Sequence, residues 1–109
     1  AYDYWSFCNP EGFAYDESYT KYESHADSPY LKGEERVFID AYSMTYARED
    51  RAMVMQYAMM EGNESYFESE TMQAKLRQLC LGLRQAFGWR EFEGTFIWEQ
   101  YLKEPVQGV

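Results

Sequence analysis

Residues 52–60, AMVMQYAMM, contain a single polar side chain, Gln56. In helical register such a run is apolar on nearly every face, which predicts a central helix surrounded by protein rather than one lying on a surface. Thr45 is placed to cap that helix, and Glu49 and Asp50 then fall in or just after its first turn, where the helix dipole favours negative charge. Gly62 follows as the left-handed residue that ends helices. Just before this element, residues 37–42 (VFIDAY) are β-branched and aromatic, and read as a buried strand or extended segment.

A helix of this kind needs a core, and 109 residues supply one domain able to bury about two thirds of its unfolded surface. Hydrophobic residues at 46% and aromatics at 19% exclude a disordered tail. The net charge of −9 repels phosphate backbones and anionic membranes, so no nucleic-acid partner is expected. No apolar run approaches the ~20 residues of a membrane span, and no signal-peptide pattern is present. The chain starts in mid-pattern at Ala1, and so reads as a processed or trimmed product.

Residues 1–33 are rich in aromatics, among them Tyr2, Tyr4, Trp5, Phe13, Tyr15 and Tyr19, without a sustained period. Such segments lie as loops across a core, held by their rings, and residues 9–12 (NPEG) read as a turn. The polar stretch 24–33 predicts an exposed connection. After a linker at 63–68, Ser69 caps a second helix running to about residue 87. Its apolar stripe is Met72, Leu76, Leu79, Leu83 and Ala86, with Lys75, Arg77, Gln78, Arg84 and Gln85 on the rest of its surface and Gly88 at its end. Gly82 inside that helix suggests a close backbone approach. Residues 89–102 predict a turn and a short helix capped by Thr95, stopped by Pro105, after which the chain should fray. The expected fold is a small, mainly α domain (α+β if residues 37–42 pair), with the aromatic-rich irregular N-terminal segment packed on two or three helices.

The run AYSMTYAREDRAMVMQYAM (41–59), with WSFCNPEGFAY (5–15), resembles the C-terminal half of a bacterial family of zinc-binding metallopeptidases of the gluzincin type. In that family two histidines of an HExxH helix bind zinc, and a glutamate on a later helix completes the site. The resemblance implies that Glu49 is this third ligand. It also implies that Tyr42, seven residues earlier, can stabilise the oxyanion formed when zinc-bound water attacks a peptide carbonyl. The HExxH helix and its general base are absent here, and His25 is the only histidine. One imidazole cannot replace two, so zinc is expected in an intact parent protein and no tight zinc binding by this chain alone, which should not hydrolyse peptides. The resemblance further implies a peptide or protein substrate for the parent, a missing N-terminal catalytic half or self-association, and a secreted or cell-envelope location.

Each residue also has a plainer reading. Glu49 is then a dipole partner in a first helical turn, Tyr42 an aromatic packed on a strand, and His25 a solvated loop side chain. Asp50 and Arg51 read as helix-surface charges, or as partners orienting a histidine or a substrate carboxylate. The methionines from Met44 to Met60 read as core filler. Cys8 and Cys80 are either two buried or partly buried thiols or one bridge formed in an oxidising compartment. The alternative for the whole chain is a non-catalytic, acidic helical module that binds a protein or peptide through its aromatic and methionine surface.

Overall fold

The computed structural model describes residues 5–106, and the tyrosines at 2 and 4 and the terminal residues 107–109 lie outside the described residues. The chain is mainly α, with two helices, α1 (Ala47–Ala58) and α2 (Glu70–Ala86), joined and flanked by short 3-10 turns. No strand occurs among the described residues.

The helices meet along four-residue rows. Val54 and Ala58 of α1 pack with Met72, Leu76 and Cys80 of α2, all fully buried, and Trp5, Ile39, Phe67 and Val106 close this core. A run of i, i+4 residues forms one stripe down a helix, which is why α1 commits one face and not all of them. Ala52 and Gln56 are exposed, and Met59 and Met60 fall beyond the helix, about half exposed. The expectation of a helix surrounded on every side is corrected accordingly.

The N-terminal aromatics build a second, smaller core over Val37, Phe38 and Met44. Phe13 lies 4.9 Å from Phe38 and stands edge-on to Tyr15 at 5.2 Å and Tyr30 at 6.4 Å. Residues 37–39 are buried, but they pair with no other segment as a strand. Buried carbonyls must still find donors. Here side chains provide them: Lys75 donates to Val37 O at 2.7 Å, and Arg36 donates to Phe38 O at 3.0 Å and Ile39 O at 2.8 Å. Two cations thus do the work of a neighbouring strand.

After residue 39 the chain turns at once into a 3-10 helix, Ala41–Met44, started by Asp40, whose Oδ1 accepts from Ser43 N at 3.0 Å and Ser43 Oγ at 2.9 Å. Tyr42 therefore sits on a helical turn, not on a strand. This earlier turn also claims Thr45, whose hydroxyl donates to Tyr42 O at 2.7 Å. Tyr46, with no side-chain cap, precedes α1 in place of the expected Thr45 cap.

Ser69 caps α2 as expected, accepting from Met72 N at 3.1 Å while donating to Arg36 O at 2.6 Å. Gly88, at φ +72°, ends it. Gly82 makes no close approach: a Cβ there would meet nothing within 4 Å. Residues 24–33 form 3-10 turns, and Tyr30 and Leu31 pack on the second core. The last helical turn is a 3-10 segment, Ile97–Glu99, preceded by Phe96, whose N–H donates to Glu99 Oε1 at 3.1 Å, so Thr95 is not its cap. Val106 is buried in the main core, so the chain is still packed past Pro105.

Candidate functional site

Glu49 and Asp50 are adjacent in the first turn of α1, and successive helical residues point about 100° apart. One carboxylate faces outward and the other inward.

Glu49 keeps 22% of its side-chain surface exposed. Its Oε2 accepts from the Tyr19 hydroxyl at 2.7 Å, and that hydroxyl accepts from Arg48 Nη2 at 2.8 Å. Arg48 Nε stands 3.9 Å from the same Oε2, and the guanidinium lies 4.2 Å above the Tyr46 ring. The Tyr19 ring stacks on Tyr42 at 6.0 Å and leans on Tyr46 at 4.8 Å, while Tyr22 meets Tyr42 edge-on at 5.6 Å. The hydrogen bond to Glu49 raises the pKa of Tyr19 above the ordinary tyrosine value. Desolvation, then the negative charge of Glu49, raises that of Tyr42. Both phenols therefore stay protonated at neutral pH.

Asp50 is fully buried, which corrects its reading as a helix-surface charge. Its Oδ2 accepts from Lys75 Nζ at 2.7 Å, Tyr15 Oη at 2.8 Å and Trp5 Nε1 at 2.9 Å. Lys75 is equally buried, 4.0 Å over the Phe38 ring. Burial raises the pKa of Asp50 and lowers that of Lys75, and the attraction between the two opposes both shifts. This group ties three segments of chain to α1. Arg51 lies over the Trp5 ring at 5.9 Å.

A second buried ion pair joins Arg84 to Glu99, at 2.5 Å from Nε and 2.8 Å from Nη2. The remaining donors of Arg84 reach Phe92 O at 2.7 Å and Gly94 O at 2.8 Å, folding the loop after α2 around one guanidinium. Lys75 and Arg84 are buried, which corrects the expectation that they occupy the rest of the surface of α2. Their positions betrayed them: Lys75 lies three residues after Met72, and Arg84 four after Cys80, on the row that faces the core.

His25 is not a freely solvated side chain either: its Nε2 lies 2.9 and 3.1 Å from the two carboxylate oxygens of Asp16. Cys8 and Cys80 are thiols, with no disulfide between them. Burial pushes the Cys80 thiol up to about 12.

Among the described residues no group of three or more His, Cys, Asp and Glu side chains could hold a metal ion. A catalytic zinc takes three protein ligands, so these residues do not by themselves fit one. Glu49 offers one oxygen donor, with a phenol beside it. The sequence singled out Glu49 and Tyr42, and they share this surface. Tyr19 and Arg48 were missed because nothing in local spacing joins residue 19 to residue 49. No family model, curated protein or solved structure matches this chain. No described helix is long and apolar enough to cross a membrane.

Proposed function

We propose that this chain is the C-terminal part of a zinc-dependent metallopeptidase of the gluzincin type, supplying Glu49 as the third zinc ligand and Tyr42 as an oxyanion donor, and that it is inactive alone. The observation that carries this reading is the electrostatic and hydrogen-bond interaction of Tyr42 with Glu49 across the junction between the 3-10 turn Ala41–Met44 and α1. A 3-10 turn leading directly into a helix holds carboxylate and phenol in register on one surface, which an opposing helix bearing histidines can approach. The inward anchoring of Asp50 supports the same reading, because it fixes the rotation of α1 and with it the outward aim of Glu49. The histidines, the general base and most of the substrate cleft then belong to the other part of the enzyme, whose substrate is a peptide or protein.

The test is calorimetric titration of zinc into this chain and into a longer gene product that contains an HExxH helix. The expected result is weak binding by the first and tight binding by the second, reduced about 10–100-fold or more by Glu49→Gln, the scale on which even outer partners of a metal act. A longer product without an HExxH helix, or an affinity unchanged by Glu49→Gln, overturns the assignment.

A second reading, a non-catalytic binding module, draws on the apolar surface after α2. Phe87, Trp89 and Phe92 are 60%, 39% and 46% exposed, and Phe87 stacks on Trp89 at 4.8 Å. A contiguous exposed apolar patch is the kind of surface that binds a protein or peptide. This reading predicts a partner that protects Trp89 fluorescence from quenching without any dependence on zinc.

A further inference from the structure

We propose that the aromatic loop after α2 is a docking surface for a basic peptide segment, one that carries arginine beside an apolar side chain. The proposal rests on the contact-surface reading of Phe87, Trp89 and Phe92 and adds what covers them.

The loop is built with its polar side inward. The buried guanidinium of Arg84 draws three of its carbonyls together, Trp89 O at 3.3 Å, Phe92 O at 2.7 Å and Gly94 O at 2.8 Å. Trp89 N donates to Arg84 O at 2.7 Å and Phe92 N to Trp89 O at 3.1 Å, so the turn is held through its main chain. Its rings are left outside and support one another. Trp89 leans on Phe96 at 5.0 Å, and Phe92 stacks on the same ring at 4.7 Å. Gly94 makes room for this arrangement, because a Cβ there would collide with the Phe92 ring. An apolar surface fixed in advance loses little freedom when something binds to it.

Charge decides the occupant. Glu91 and Glu93, both exposed, flank Phe92 in sequence, against one exposed cation of the loop, Arg90. The whole chain carries −9, so a second copy is repelled and a cationic segment attracted. The inner side of the loop shows which cation suits it. Arg84 lies 5.0 Å from the Phe96 ring and 5.6 Å from that of Phe92, while its fork pairs with Glu99. Aromatic rings and a carboxylate together are the surroundings in which a planar guanidinium is held best. The outer side offers a partner the same two chemistries, exposed rings and exposed carboxylates.

The experiment follows the backbone and indole NMR signals of this chain during titration with short peptides of equal length, alternating arginine and leucine, serine and leucine, or glutamate and leucine. The arginine peptide is expected to move the Trp89 indole and the backbone signals of residues 87–93, and to bind about tenfold more tightly than the serine peptide. The glutamate peptide should leave these signals unmoved. Trp89→Ala, at an exposed position, should weaken the arginine peptide about tenfold or more. Glu91→Lys with Glu93→Lys should cost up to about fivefold per charge. Gly94→Ala removes neither a ring nor a charge, and should weaken binding by displacing Phe92. Equal affinity for the serine and arginine peptides overturns the proposal while leaving the contact-surface reading in place, and binding of none of them removes both. Shifts that map away from this loop, that persist undiminished in Trp89→Ala, or that appear without peptide as the protein is concentrated, also overturn it, the last by making a second copy the occupant.

Discussion

Glu49 and Asp50 carry the same chemical group one residue apart, and burial alone separates their roles. Charges taken out of water are tolerated only with close partners, and Asp50 has three donors on one oxygen. Lys75→Met would strand that carboxylate in the core, and is expected to destabilise the fold by about 3–5 kcal/mol in urea unfolding. Adding Asp50→Asn should recover much of the loss, because a neutral amide oxygen still accepts from Trp5 and Tyr15. If the two changes cost the sum of their separate effects, the pair is not coupled as the geometry requires.

At the scale of elements, α2 does most of the organising. One face carries Met72, Leu76 and Cys80 into the core, and the same face carries Lys75 and Arg84 to buried carboxylates. Its solvent side is less demanding. Gly82 is helical with open space where a Cβ would be, so Gly82→Ala should stabilise the protein by about 0.4–1 kcal/mol, seen as a higher melting temperature. A loss of stability would mean that α2 is packed more closely at this point than the open space indicates. α1 depends more on its neighbours: with no side-chain cap and only 12 residues, it is fixed by Asp50 and by the core row of Val54 and Ala58.

For the whole molecule, the Cα radius of gyration is 14.0 Å, against about 13 Å expected for a compact chain of this length, so the aromatic N-terminal segment packs as part of one body. Its titratable core groups set an alkaline limit. The Cys80 thiol rises from 9.0 to about 12 on folding, and Tyr15 is raised mainly by burial. Between those values the unfolded chain has lost the Cys80 proton while the folded chain keeps it, so stability is full below about pH 9 and falls as pH climbs toward 12. Cys80→Ala should flatten that decline by up to about 1.4 kcal/mol per pH unit, measured as unfolding midpoints between pH 8 and 11. A decline of the same slope in the variant would place the ionising group elsewhere.

Periodicity made the two helices, the Ser69 cap and the glycine that ends α2 legible in the sequence, because these depend on neighbours three or four residues away. The candidate carboxylate and phenol at 49 and 42 came from a motif and not from any physical pattern. What the sequence by itself determined was therefore a mainly α domain with an aromatic N-terminal cover. Only the tertiary structure decided that residues 37–39 would be satisfied by Lys75 and Arg36, that Asp50 would turn inward, and that Tyr19 would reach Glu49. Each of these joins residues 25 or more apart, or satisfies backbone groups that a strand would otherwise have served. Such contacts exist only once packing has excluded water and made an unpaired charge or carbonyl too costly to leave.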